Sequence, residues 1–105
     1  MTTVAVLGGG SFGTAMANMI AANGHAVTLW MRDAEAAATT TASRRNSRYL
    51  PDYALEESLQ ISADLATAVN SAEVVFFAVP SKSLRQLASD VAPLVADRAG
   101  LVSMA

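Results

Sequence analysis

The chain has 105 residues, the size of one domain, and 52% of them are hydrophobic, which is enough for a core and argues against disorder. Its formal net charge of -2 offers no field for a polyanion, so we expect no nucleic-acid partner. The chain has no cysteine, which excludes a disulfide scaffold, a thiol nucleophile and a thiolate metal site. The single histidine, His25, has no ligand cluster around it, and we expect no metal site.

The first predicted strand, residues 2–7, is a nearly continuous apolar run that ends at a glycine-rich turn, and a helix is predicted over residues 11–23. The glycines have the spacing G-x-G-x-x-G, at Gly8, Gly10 and Gly13. A strand, a tight turn and a helix in this order are typical of a dinucleotide site. No Lys followed by Ser or Thr closes the loop, which argues against a P-loop for a triphosphate. A glycine-rich turn without a ligand is the alternative.

Each glycine has its own expected role. Gly8 permits the tight turn, Gly10 leaves room for a pyrophosphate beside the backbone, and Gly13 lets the helix pack closely on the strand. The first N–H groups of the helix then favour an anion at this place.

The glycines also interrupt the apolar run, and no basic region precedes it. We therefore expect neither a signal peptide nor a membrane span, and a cytoplasmic protein.

A second strand is predicted over residues 26–31, and Arg32 and Asp33 follow it. In this architecture the side chain just past the second strand meets the adenosine ribose, where an acid reads a free 2′-hydroxyl and an arginine accommodates a 2′-phosphate. Asp33 also occupies the N-cap position of a helix predicted over residues 34–42. We therefore expect Asp33 to cap the helix and Arg32 to meet the phosphate, with a solvated surface arginine as the alternative.

Three arginines and one aromatic residue, Arg44, Arg45, Arg48 and Tyr49, follow this helix. Such a cluster could contact a nucleic acid, but it is short and the whole chain is acidic. A solvated loop or a contact to the phosphate of a small molecule is the preferred interpretation.

The rest of the chain continues to alternate strands with helices. Strands are predicted over residues 60–62, 73–79 and 101–104, with one helix from Asp64 to about Ser71 and another, after Pro80 and Ser81, whose apolar face runs from Leu84 to Val95. With right-handed crossovers, this pattern predicts a doubly wound, parallel α/β sheet of the Rossmann type, in the strand order 3-2-1-4-5. Because a last strand without a covering helix ends the chain, we expect a fragment of a longer protein.

Four stretches together resemble one family: residues 8–15, residues 29–32, residues 46–51, and residues 78–81 with Arg85. They are similar to the N-terminal domain of bacterial NAD(P)-dependent glycerol-3-phosphate dehydrogenase, and the likeness covers essentially all of residues 1–105. The glycine motif is shared by many Rossmann enzymes. The Asn-x-x-Tyr-Leu-Pro segment and the Val-Pro-Ser strand end are much more selective for this family.

The resemblance implies which residues contact the cofactor. Ser11 and Phe12 would contact it at the glycine turn, and Arg32 would meet the 2′-phosphate of NADPH. Tyr49 would lie near the same cofactor. Pro80 and its neighbours would border the nicotinamide side of the cleft, because ligands of such sheets lie outside the carboxyl ends of the strands.

The resemblance also implies an activity, the interconversion of dihydroxyacetone phosphate and sn-glycerol 3-phosphate with NADP or NAD, which supplies phospholipid backbones. The family's catalytic lysine would lie beyond Ala105, as would the helical domain that completes the substrate site, and Lys82 does not fit the lysine's place. We therefore expect no catalytic residue and no activity in residues 1–105 alone.

Another two-domain NAD(P) dehydrogenase and a non-catalytic dinucleotide-sensing module are the alternative functions. The preference for NADH or NADPH is open, and a homodimer is compatible with the sequence.

Overall fold

The structure is a computed structural model that describes residues 2–45, 54–70, 72–94 and 100–103. Strands and helices alternate along these ranges, as the sequence predicts. The strands are β1 Thr3–Leu7, β2 Ala26–Trp30, β3 Gln60–Ser62, β4 Val74–Phe77 and β5 Gly100–Ser103. The helices are α1 Ser11–Ala22, α2 Ala34–Ser43, α3 Leu65–Val69 and α4 Ser81–Val91.

The five strands form one parallel sheet in the order β3-β2-β1-β4-β5. β1 is central, with Val6 paired to Leu29 of β2 on one side and to Phe76 of β4 on the other. The predicted doubly wound α/β sheet and its strand order are confirmed. Because all strands run in one direction, the residues that follow β1, β2 and β4 meet at the same edge of the sheet.

Helices cover β1 on both faces, which explains why its apolar residues run without alternation. On one face Val6 joins an apolar cluster with Ala17 of α1. On the other face Leu7 joins a second cluster with Leu87 of α4. Thus two apolar layers hold β1 in place, and with it the turn that follows Leu7. Among the described helices, none has the length and apolar character needed to cross a membrane.

The last helix is shorter than its apolar pattern predicts. α4 ends at Val91, and a single turn of 3-10 helix, Ala92–Leu94, follows it. Pro93 lies in this turn and has no backbone N–H to donate to the preceding turn, so the α-helical hydrogen bonds cannot continue through it. The predicted end at Val95 lies outside the described residues.

Two other predicted boundaries differ by about two residues. α3 ends at Val69, because Asn70 has an extended backbone with ψ of 121°. The predicted end at Ser71 lies outside the described residues. β4 ends at Phe77 and not at Val79, although the N–H of Ala78 still donates to the carbonyl of Leu7 at 2.8 Å.

Candidate functional site

The turn after β1 depends on Gly8. Its φ of +132° is a conformation that side chains with a Cβ rarely adopt, and a Cβ at this position would overlap the carbonyl group of Ala78. The N–H of Gly8 donates to the carbonyl oxygen of Trp30 at 3.0 Å. The turn is therefore tied to β2 by a hydrogen bond and pressed against the end of β4, which confirms the tight turn expected at Gly8.

Gly13 lies in the first turn of α1, where the helix approaches β1. A Cβ on Gly13 would overlap the carbonyl oxygen of Gly8 and would lie 3.0 Å from the Cβ of Ala78. The close packing expected of Gly13 is confirmed. Its role is to set the distance between helix and strand.

Gly10 differs from both, because a Cβ built on it meets no atom of the described chain within 4 Å. It is the N-cap of α1, with φ of -72° and ψ of 178°, an extended backbone that any residue can adopt. The space beside Gly10 is therefore open, as a site for a pyrophosphate requires. The first N–H groups of an α-helix have no partner within the helix, and glycine has no side chain to cap them, so this helix start is suited to an anion.

Thr14 stabilises the glycine turn from its buried side. The sequence pattern did not indicate this contact. The side chain of Thr14 is completely buried, and its hydroxyl donates to the carbonyl oxygen of Gly9 at 3.3 Å. Thr14 is inside a helix, where a threonine has no distinctive spacing, so only the folded structure reveals this contact.

A cleft of about 310 Å³ opens at the carboxyl edge of the sheet, beside the glycine turn. Its lining comes from the ends of three neighbouring strands and the residues that follow them: Gly8, Gly9, Gly10, Trp30, Arg32, Ala78, Val79, Pro80 and Ser83. This edge is where parallel α/β sheets bind their ligands. Four of the predicted site residues, Gly8, Gly10, Arg32 and Pro80, thus lie around one cleft.

Gly13, Ser11 and Phe12, the other predicted site residues that the structure describes, do not line this cleft. The side chains of Ser11 and Phe12 are exposed, and Phe12 lines a separate hollow of about 510 Å³ between α1 and residues 54–56. The exposed fraction of Phe12 is 59%, which is high for an aromatic side chain. Tyr49 lies outside the described residues.

The predicted capping role of Asp33 is confirmed, and Arg32 stays a predicted phosphate contact. The Oδ1 atom of Asp33 accepts a hydrogen bond from the N–H of Glu35 at 2.9 Å, so Asp33 caps α2. The exposed side chain of Arg32 lines the cleft. Of these two residues, the arginine is therefore the one available to a ligand.

Arg44 corrects the expectation of a solvated or phosphate-binding arginine cluster. It ends α2 in the left-handed conformation, with φ of 57°, and its Nη2 donates to the carbonyl oxygens of Glu56 and, at 2.8 Å, of Leu59. The N–H of Leu55 in turn donates to the carbonyl of Arg44 at 2.8 Å. Arg44 is thus half-buried and joins α2 to the segment before β3. Arg48 lies outside the described residues.

No cluster of three or more potential metal ligands occurs among the described residues. His25 precedes β2, and its Nδ1 accepts a hydrogen bond from the N–H of Thr2 at 3.1 Å. Both residues precede strands, at the amino edge of the sheet. His25 therefore lies at the opposite edge from the cleft.

Comparison with known proteins adds sequence and fold relatives. The model of the family described as NAD-dependent glycerol-3-phosphate dehydrogenase N-terminus matches residues 3–105. A Teredinibacter turnerae protein named glycerol-3-phosphate dehydrogenase (NAD(P)+) is 52% identical over 100 residues, which are 95% of this chain and 29% of that protein. A Saccharophagus degradans protein of the same name is 53% identical over 91 residues, which are 87% of this chain and 25% of that protein.

The crystal structure of glycerol-3-phosphate dehydrogenase from Coxiella burnetii has the same fold over this region. Its TM-score is 0.91 at 29% sequence identity, and the match covers 97% of this chain and 31% of that one. The chain therefore spans less than a third of the length of these relatives.

Proposed function

Because this chain belongs to the family of the NAD-dependent glycerol-3-phosphate dehydrogenase N-terminus, we propose that it is the cofactor-binding domain of an oxidoreductase. The reaction that we propose is the interconversion of dihydroxyacetone phosphate and sn-glycerol 3-phosphate with NADPH or NADH. Its product would supply the backbones of glycerophospholipids.

The observation that carries this proposal is the cleft at the carboxyl edge of the sheet. It combines an open glycine turn at the start of α1, a cationic side chain at the end of β2, and the segment at the end of β4. These features suit the pyrophosphate, the adenosine ribose and the nicotinamide of one extended dinucleotide, in that order. A cleft built only for a small uncharged ligand would not need a helix start and an arginine on the same wall.

Individual residues take roles within this proposal. Gly8 and Gly13 fix the turn, and Gly10 admits the pyrophosphate beside the backbone. Arg32 binds the 2′-phosphate when the cofactor is NADPH, and Pro80 borders the nicotinamide. Ser11, Phe12 and Tyr49 are further proposed cofactor contacts, on the strength of the family resemblance.

The chemistry divides between the cofactor and the protein. The nicotinamide, when bound, supplies or accepts the hydride, and the protein positions it against the carbonyl carbon of the substrate. The residues of this chain bind and orient the cofactor. We propose that the lysine and the substrate-phosphate anchor of the reaction lie outside residues 1–105, in a second, helical domain.

We further propose that the protein works in the cytoplasm, and the absence of cysteine is compatible with the reducing conditions there. A homodimer stays a prediction, and light scattering of the purified protein measures it.

Calorimetric titration of the chain with NADP+ and NAD+ tests the cofactor role. We expect weak, saturable binding with one nucleotide per chain, and loss of this binding when Gly10 is changed to valine. Binding that survives Gly10→Val would remove the site from the glycine turn. No binding of either nucleotide by the folded wild-type chain would contradict the cofactor role itself.

A further inference from the structure

Trp30, the last residue of β2, is held firmly on the wall of the cleft. Its exposed fraction is 7%, and its Nε1–H donates to the carbonyl oxygen of Ala63 at 3.0 Å. The ring joins the apolar cluster that contains Ala68 and Val69 of α3. A hydrogen bond and apolar packing together therefore fix the orientation of the indole.

The guanidinium group of Arg32 lies over this fixed ring. Its Cζ atom is 5.9 Å from the centroid of the Trp30 ring, within the range of a cation–π contact. Both residues line the cleft. Arginine has a long, flexible side chain, so a fixed ring beneath it restricts where the charge can be.

The main chain of Trp30 contacts the glycine turn through its carbonyl group. Its carbonyl oxygen accepts the hydrogen bond from the N–H of Gly8, at 3.0 Å. A substitution of the side chain leaves this carbonyl in place. The influence of the indole on Arg32 can therefore be separated from the influence of β2 on the glycine turn.

We propose that Trp30 is a positioning residue whose indole ring holds the guanidinium of Arg32 at the cofactor cleft, and that it thereby raises the selectivity for NADPH over NADH. This inference rests on the proposed cofactor role. It predicts that Trp30 raises the affinity for NADPH and not the affinity for NADH, because only NADPH carries a 2′-phosphate for Arg32 to bind.

A double-mutant cycle tests the proposal. Equilibrium dissociation constants for NADP+ and NAD+ are measured by calorimetry for the wild-type chain, Trp30→Leu, Arg32→Ala and the double variant. We expect Trp30→Leu to lower the preference for NADP+ about two- to fivefold, the fold-change that corresponds to a cation–π contact of about 0.5–1 kcal/mol. In the Arg32→Ala background the same substitution should leave the preference unchanged.

Trp30→Phe is the conservative variant, because it keeps an aromatic ring face for the guanidinium while it loses the N–H donor and the second ring of the indole. We expect it to retain more of the preference for NADP+ than Trp30→Leu does. Equal losses of NADP+ and NAD+ affinity in Trp30→Leu would show that the indole only supports the fold, and would overturn the proposal. If the wild-type chain binds neither nucleotide, the proposed cofactor role fails instead.

A second measurement does not require a change at Trp30, in case Trp30→Leu does not fold. Trp30 is the one tryptophan of the chain, so the intrinsic tryptophan fluorescence reports on its ring alone. We expect adenosine 2′,5′-bisphosphate to change this emission in the wild-type chain and not in Arg32→Ala, because Arg32, held over the ring, brings the bound phosphate close to the indole. The same response in both proteins would overturn the proposal.

Discussion

Gly13 of α1 lies directly against the carbonyl group of Gly8, so closely that a methyl group on Gly13 would overlap the carbonyl oxygen. The first turn of the helix and the end of the central strand are therefore in contact through backbone atoms. This contact fixes the path of the chain between Leu7 and Ser11. Because the same path forms one wall of the cleft, the stability of the fold and the shape of the site depend on the same two residues.

Gly13→Ala should lower the free energy of unfolding by about 1–3 kcal/mol, the usual cost of overpacking a close contact. The cause is the overlap with Gly8, which requires α1 to move away from β1. Urea denaturation followed by circular dichroism measures the effect. Gly10→Ala is the matched control: its new methyl group meets no atom, so its loss of stability should be smaller than that of Gly13→Ala and limited to the cost of alanine at the N-cap. A Gly13→Ala chain as stable as wild type would contradict the packing role.

Gly10→Val should abolish nucleotide binding without unfolding the chain. The extended backbone of Gly10 and the empty space beside it accept a side chain, so only a bound ligand would meet the valine. We expect binding to weaken about 5- to 150-fold, because an overpacked contact costs about 1–3 kcal/mol, and this takes the already weak binding below the measurable range. Calorimetry measures the binding, and circular dichroism checks the fold. Unchanged titrations of a folded variant would show that no ligand approaches this backbone.

Arg32→Ala should weaken NADP+ binding more than NAD+ binding. The guanidinium can bind the 2′-phosphate through charge-assisted hydrogen bonds, each worth about 1.5–3 kcal/mol, and NAD+ lacks that phosphate. Dissociation constants for the two nucleotides are the measurement. Equal losses for both would show that Arg32 does not read the phosphate.

Asp33→Ala is the control for this experiment, because it changes the neighbouring residue and removes a different interaction. The hydrogen bond from Glu35 to Asp33 caps α2, so its loss should cost about 0.5–2 kcal/mol of stability. The ratio of NADP+ to NAD+ affinity should stay as in the wild-type chain.

Sequence patterns predicted most of the fold because its elements are locally encoded. Apolar runs indicate buried parallel strands, the glycine spacing marks the first turn, and Asp33 occupies a cap position. The right-handed crossover rule then leaves few possible strand orders. The same patterns placed Gly10, Arg32 and Pro80 at strand ends, which the fold brings to one edge of the sheet.

The contacts that join α1 and α2 to the segment before β3 could not be predicted, because they depend on side chains that bond to backbone groups far away in sequence. The sequence predicts that Arg44 belongs to a solvated loop or contacts a small-molecule phosphate, but its side chain bonds to carbonyls 12 and 15 residues later. Asn18, a polar residue on an otherwise apolar stretch of helix, is buried and accepts a hydrogen bond from the N–H of Glu56 at 2.6 Å. Neither contact has a fixed spacing that a sequence pattern could show.

Asn18→Ala should lower the free energy of unfolding by about 1–3 kcal/mol, since it leaves the N–H of Glu56 without its acceptor. Urea denaturation measures the loss. Met19→Ala on the same helix is the control, because the exposed fraction of Met19 is 54% and its truncation should cost much less. An Asn18→Ala chain no less stable than Met19→Ala would show that the contact to Glu56 contributes nothing to stability.

The last prediction concerns turnover. Reduction of a ketone requires a group that donates a proton to the developing alkoxide or stabilises its charge, and a phosphorylated substrate requires an anchor. Arg32 and Ser83 are the polar side chains that line the described cleft, and Arg32 lies beside Trp30 at the end assigned to adenosine. His25, an obvious acid–base group, lies at the amino edge of the sheet, bonded to Thr2.

We therefore expect no measurable oxidation of NADPH when residues 1–105 are mixed with dihydroxyacetone phosphate, even at saturating cofactor. The full-length Teredinibacter turnerae relative, named glycerol-3-phosphate dehydrogenase (NAD(P)+), is the positive control in the same assay. A chimera that joins residues 1–105 to the remainder of that relative should regain turnover, and the Gly10→Val change should remove it again. Activity of residues 1–105 alone would mean that the catalytic group lies within them. A folded chimera that binds NADP+ and stays inactive would favour a dinucleotide sensor or a different substrate.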